Sequence, residues 1–364
     1  MARWPAGRGG FLALPPVVEC DNRWVDENRD AAILEWLSSP INAPVRYLTA
    51  RDLLPRSVPA RELRHLREEA LRWPPLERIL DLQLEDGSFP YRQKTPTAQP
   101  TFWALCLMAR CGMDISDEAV RRSVEYLERR HMGKGALSYT TGGSGVLSCY
   151  AGVVTAVLIK MGALETAVVQ DSIRWLVNHQ RFDHKTTRAG GGETWPYKAP
   201  ANYGCWETVS CYHGVAGAFR ALAAIPPTDR SPGVRRRINE AVEYLRLHRL
   251  YKRTAIDRPL FRHMTEFFLI GDYRSGLIDM LHAVADADPR LIREDWVAAA
   301  VGDAEQSLDD GRVTLVKNYG RKIIDPIPFE PIGEPSRFLT YEWLTVKRAF
   351  GSARPEGVGR VGVA

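Results

Sequence analysis

The chain has 364 residues, of which 45% are hydrophobic and 26% charged, enough apolar material for a substantial core in one large domain or two ordinary ones. The net charge is only +5, and the basic residues are spread along amphipathic segments instead of gathering into runs with interleaved aromatics, which argues against nucleic acid as a partner. No apolar stretch approaches the roughly 20 residues needed to span a bilayer, and Pro15 and Pro16 stop the run Phe11-Leu-Ala-Leu14 short of signal-peptide length, so a cytoplasmic protein is expected.

Residues 1–30 lack periodicity and are rich in Pro and Gly, which predicts a loosely ordered arm. Residues 31–72 read as a helical extension. Apolar residues at helical spacing in Ala32-Ile-Leu-Glu-Trp-Leu37 and Val45-Arg-Tyr-Leu-Thr-Ala-Arg-Asp-Leu-Leu54 make a hairpin around a Ser-Ser-Pro break. A third helix follows from Pro59 to Arg72. Over 73–350 two kinds of helix alternate. Amphipathic ones carry Ile79-Leu80, Tyr126-Leu127, Trp175-Leu176 and Tyr244-Leu245, the first three pairs at intervals of about fifty residues, long enough for a helical pair. The others, at 102–111, 149–162, 211–224, 273–285 and 338–349, are apolar and rich in Gly and Ala, as helices buried on most sides are. Strand signals are few. Repeated hairpins with such inner helices favour closure into an all-α, α/α toroid, with the starts of parallel inner helices gathered at one mouth of a cavity. Residues 351–364 read as a disordered tail.

The densest chemistry is Cys205-Trp-Glu-Thr-Val-Ser-Cys-Tyr-His-Gly-Val215, and Ser148-Cys-Tyr-Ala-Gly-Val153 repeats its Ser-Cys-Tyr-x-Gly-Val core. Cys149 and Cys211 thus fall at equivalent inner-helix starts, where the helix dipole and free N–H groups favour thiolate and metal binding. Zinc takes four Cys or His ligands in a structural site and three in a catalytic one. Cys149, Cys205 and His213 are the preferred three, with His248 or Cys211 as the fourth, since Cys211 and His213 point roughly 200° apart on a regular helix. The competing reading is that these cysteines are small residues at tight helix contacts. Cys106 and Cys111 lie in an apolar run and read as packing. Gly142-Gly-Ser-Gly145 and Gly190-Gly-Gly192 follow no strand and read as turns or a lid, not phosphate loops.

Leu82-Gln-Leu-Glu-Asp-Gly-Ser-Phe89 resembles the Gln-x-x-Asp-Gly-x-Trp/Phe turn of the terpenoid cyclase and protein prenyltransferase β-subunit superfamily, the squalene-hopene-cyclase-like α/α toroids. With the two Ser-Cys-Tyr-x-Gly-Val helix starts, the resemblance covers roughly 70–350. The chain is similar to bacterial single-toroid prenyltransferase/squalene-oxidase-repeat proteins, which extends the likeness to Val45–Leu54 and to His248-Arg-Leu-Tyr251. The resemblance implies an enzyme acting on a mainly apolar small molecule, an isoprenoid among the candidates. The cyclases' Asp-x-Asp-Asp acid has no counterpart at an inner-helix start; Asp286-Ala-Asp-Pro-Arg290 reads as a turn capped by Asp288. The prenyltransferases' zinc-binding Cys-Tyr is matched by Cys211-Tyr212, with Val209 in place of their aspartate. Three functions stay open: a zinc-dependent enzyme, a ligand- or peptide-binding toroid with structural zinc, and a cyclase using a different acid. Glu266 and Asp272 are the candidate acids or bases, and Trp103, Tyr150, Tyr212, Tyr273 and Trp343 are candidates to line an apolar or cation-stabilising pocket.

Overall fold

A computed structural model describes residues 27–54, 57–90, 97–133, 135–139, 146–183, 210–319 and 329–352. The predicted arm (apart from its last residues), the two glycine clusters, nearly all of the tail, and Cys205 lie outside the described residues. Thirteen α-helices stand among those described. α1 (Glu27–Leu37), α2 (Ala43–Leu48, continued by a π turn over Thr49–Leu53) and α3 (Ala60–Leu71) form the N-terminal extension. Then come α4 (Pro74–Leu80), α5 (Gln99–Arg110), α6 (Glu118–His131), α7 (Ser148–Lys160), α8 (Ala167–His179), α9 (Tyr212–Ala224), α10 (Pro232–Leu247), α11 (Leu277–Ala287), α12 (Asp295–Gln306) and α13 (Arg337–Gly351). Among the described residues the only sheet is a two-stranded hairpin of Met132–Gly133 with Ala136–Leu137, and no helix is long and apolar enough to cross a membrane.

The apolar helices pack in sequence, α5 on α7, α7 on α9, α9 on α11 and α11 on α13, and the amphipathic α6, α8, α10 and α12 lie against this series. Periodicity predicts this division because an amphipathic helix can bury only one face. Capping sharpens the ends: Ser231 accepts from Val234 N at 3.2 Å at the start of α10, and Ser336 accepts from Leu339 N at 3.1 Å at the start of α13. α5 and α7 end alike, with Gly112 and Gly162 at φ of +79° and +80° closing six-to-one bonds from Met113 N to Met108 O and from Ala163 N to Leu158 O. Gln83, from the superfamily-like turn, ties the α4–α5 connection to α6 by donating to Ala119 O at 2.8 Å and Ser123 Oγ at 3.0 Å. Asp288 does act as a cap, accepting from Arg290 N at 3.0 Å.

One boundary differs from expectation. The fourth inner helix begins at Leu277, not at 273, because Asp279 reaches back to Gly276 N at 2.9 Å and fixes the start there. Asp272 and Tyr273 therefore lie on the entering loop, with Asp272 in the left-handed region at φ +58°.

Candidate active site

The starts of α5, α7 and α9 and the loop before α11 bring one carboxyl and a wall of aromatic rings together. Asp272 Oδ2 accepts from the Tyr150 hydroxyl at 3.2 Å, and that hydroxyl accepts in turn from Gln99 Nε2. Arg274 Nη1 stands 3.5 Å from Oδ2. The other oxygen, Oδ1, is buried with no hydrogen-bond partner, although the Trp103 indole approaches the same carboxyl. The Asp272 side chain is 12% exposed, and burial pushes its pKa up to about 6 against the opposing pull of Tyr150, Arg274 and Trp103. An aspartate in this setting keeps a usable fraction of its acid form near neutral pH.

Rings continue outward from the acid. Tyr150 stacks on Tyr139 with centroids 5.5 Å apart and lies 5.4 Å from Tyr273. Tyr273 meets His213 edge-on at 5.2 Å, and His213 stacks on Phe261 at 4.5 Å and on His263 at 5.1 Å. Arg274 lies over Tyr273 and Tyr319 at 4.4 and 4.5 Å. Burial lowers the His213 pKa to about 3, and it lowers that of His263 to about 4, so both imidazoles are neutral. The candidate Glu266 is held apart from Asp272: it accepts from Tyr319 and pairs with Arg262 at 3.0 Å.

The metal candidates do not gather in the same way. Cys149 is buried, and burial with Cys211 nearby pushes its thiol well above the ordinary range. His248 lies in another cluster, 4.7 Å from Tyr244 and 6.0 Å from Tyr212, with Nδ1 3.0 Å from Lys252 O. Tyr212 bridges the two clusters, donating to Leu250 O and lying 6.4 Å from His213 and 6.3 Å from Phe261. Among the described residues no three His, Cys, Asp or Glu side chains are placed to hold a metal ion, and the residues present therefore do not make a zinc donor set without Cys205. The repeat glycine explains part of the Ser-Cys-Tyr-x-Gly-Val pattern: a Cβ on Gly152 would lie 2.2 Å from Gly217 C, and one on Gly217 would lie 2.8 Å from Cys149 O. Cys149 thus stands at the tight crossing of α7 and α9. Trp343 is separate again, buried beside a cleft of about 590 Å³ between α1, α12 and α13.

Of the sequence candidates, the structure joins Asp272, Tyr150, Trp103, Tyr273 and His213, with Tyr212 at the edge of the group against His213. Gln99, Tyr139, Phe261, His263, Arg274 and Tyr319 complete the surroundings and were not singled out from the sequence; most lie on loops or short turns with no periodic signal.

No family model matches the chain, and no curated protein matches it. Among solved structures, the type II terpene cyclase MstE from Scytonema with geranylgeranyl dihydroxybenzoate is similar over 89% of this chain and 99% of that one, at 16% identity and a TM-score of 0.41. The same cyclase in its apo form is similar over 88% and 98%, at 17% identity and a TM-score of 0.40. A protein from Actinoplanes is similar over 89% and 98%, at 16% identity and a TM-score of 0.40. Likenesses at this depth carry no argument about chemistry, which rests on the chain's own residues.

Proposed function

We propose that the protein is an acid-initiated cyclase or isomerase of an apolar, isoprenoid-type alkene, built on an inner wall of α5, α7, α9, α11 and α13 that closes into an α/α ring. Closure is supported by the Arg110–Glu342 ion pair at 3.0 Å, which joins the first of these helices to the last. The observation that carries the activity is the buried Asp272 carboxyl, held by Tyr150 and set beside the rings of Tyr150, Tyr273 and Trp103. In this reading the Asp272 O–H bond breaks as its proton adds to an alkene carbon. The cation left on the neighbouring carbon is held by the π faces of Tyr150, Tyr273 and Trp103, a second alkene closes a carbon–carbon bond, and a carbon next to the final cation loses a proton to water, which returns one to Asp272, so that composition is unchanged. Tyr150 positions the acid and steadies its carboxylate once the proton has left.

The test is turnover of isoprenoid alkenes by the wild type and Asp272→Asn. General acids contribute about 10²–10⁴ in rate, so the variant is expected to lose at least about a hundredfold while keeping its helical spectrum. An unchanged rate would remove Asp272 from the mechanism. The rival reading is a zinc ion on Cys149, Cys205 and His213, completed by His248 or Cys211, and the nearness of Cys149 to Cys211 is what speaks for it. Stoichiometric zinc in the purified protein, lost together with activity in Cys149→Ala, would favour that chemistry. Ligand binding with no turnover by either protein would favour a carrier.

A further inference from the structure

The groups that bond the Asp272 carboxyl are donors. The Tyr150 hydroxyl donates to Oδ2 at 3.2 Å, Arg274 Nη1 stands 3.5 Å from the same oxygen, and the Trp103 indole and the Tyr273 backbone bring further N–H groups to the carboxyl. An ionised carboxyl is satisfied by such surroundings, because it only accepts. A protonated one is not: its own O–H needs an acceptor, and of these four groups only the Tyr150 oxygen can serve. If that bond formed, the proton offered to the alkene would be tied to Tyr150.

Gln99 stands behind Tyr150. It is the first residue of α5, and the preceding Ala98 N donates to Tyr139 O at 2.8 Å, which ties the helix start to the residue whose ring stacks on Tyr150 at 5.5 Å. From there Gln99 Nε2 donates to the Tyr150 hydroxyl. A phenol has one proton. The Asp272 carboxylate can only accept, so Tyr150 must donate to it, and the Tyr150 oxygen must receive the amide N–H of Gln99 and not its carbonyl. The chain of bonds therefore runs one way, from Gln99 through Tyr150 to Asp272. Reversing it would make Tyr150 donate to Gln99, and the whole amide would have to turn over to present Oε1. A hydroxyl in the same place would need only a bond rotation.

We infer that Gln99 is a positioning residue that fixes the direction of this hydrogen-bond chain, so that protonated Asp272 keeps its O–H out of the chain and open to the substrate alkene; the inference rests on the proposed acid-initiated activity. A proton held in no hydrogen bond is transferred without first breaking one.

Infrared spectroscopy reads the direction without substrate, because the C=O stretch of a carboxylic acid lies higher when its O–H donates no hydrogen bond than when it donates one. Titration from about pH 8 to 5, above the ordinary carboxyl range, should raise a band that Asp272→Asn lacks, at the higher, non-donating frequency. Gln99→Glu keeps the side-chain length and turns its end into an acceptor. The new carboxylate lies in the first turn of α5, where the helix N-terminus favours its charge, so it ionises before the buried Asp272. Tyr150 then donates away from Asp272, and the band should drop to the donating frequency with its midpoint at least about one pH unit higher. Gln99→Met removes the amide without supplying an acceptor and should bring in the donating band. A donating frequency in the wild type, or a wild-type band that either variant leaves unchanged, overturns the inference. Turnover of isoprenoid alkenes is measured separately, and Gln99→Glu is expected to lose at least about tenfold in kcat with KM little changed; an unchanged kcat also overturns the inference. A wild type with no turnover overturns the proposed activity, while the infrared bands still decide the direction of the chain.

Discussion

At the scale of single residues, the central fact is how Asp272 is held. A carboxyl open to water would stay ionised; here burial outweighs the hydrogen bond from Tyr150 and the pull of Trp103 and Arg274. The rate of an acid-initiated reaction follows the protonated fraction, so activity should rise as pH falls through about 6 and level off below it. The Tyr150 hydrogen bond stabilises the carboxylate and lowers this pKa, so Tyr150→Phe should move the midpoint of the pH–rate profile upward while lowering the plateau. A midpoint that stays put or falls would show that Tyr150 does not act through Asp272. Asp272 and Tyr150 were both legible as candidates, one as a candidate acid or base and the other as an inner-helix aromatic. Their hydrogen bond was not, because nothing in local periodicity relates a loop residue to a side chain 122 positions away.

At the scale of elements, helix type was the most readable feature and the meaning of the repeat the least. Periodicity and the Gly/Ala-rich runs mark the inner and outer helices because burial of one face or of all faces leaves different sequence patterns. The Ser-Cys-Tyr-x-Gly-Val repeat draws the eye to its cysteines, yet Gly152 is what lets α7 approach α9: its added Cβ would strike Gly217 C at 2.2 Å and Ala218 N at 2.6 Å. Backbone cannot step aside as a side chain end can, so Gly152→Ala and Gly217→Ala should each cost about 3 kcal/mol or more, at the upper end of overpacking effects. Gly302 on α12 is the control, since nothing lies within 4 Å of its added Cβ; Gly302→Ala should stabilise by about 0.5–1 kcal/mol through helix propensity. Denaturant midpoints measure all three, and equal effects at Gly152 and Gly302 would remove the close crossing. In the second copy of the repeat the matching glycine, Gly214, meets Gln180 of the α8 end instead, so equal sequence does not mean equal packing.

At the scale of the whole molecule, the buried titratable groups pull stability in opposite directions as pH falls. His213, His263 and His282 have folded pKa values lowered to about 3, 4 and 4 from 6.5. For each, the unfolded chain takes up a proton first, so stability present above about pH 6.5 is lost as pH falls toward the folded values. Asp272 works the other way: its pKa is raised from 3.8 to about 6, so the folded state binds the proton first and stability is recovered between about pH 6 and 4. The buried Glu330 and Glu342, also raised by desolvation, add to the recovery. A shallow wild-type profile between pH 7 and 4.5 is therefore expected, made of cancelling parts that variants can separate. Asp272→Asn removes a recovering group and should steepen the acid loss, its stability relative to the wild type falling by up to about 1.4 kcal/mol per pH unit below pH 6. His282→Gln keeps a polar partner for Thr345, which lies 3.1 Å from His282 Nε2. It removes a losing group and should flatten the same curve by a similar slope. Unfolding free energies at pH 7, 6, 5 and 4.5 decide it: if the two variants move the slope in the same direction, the assigned protonation states are wrong for at least one of them.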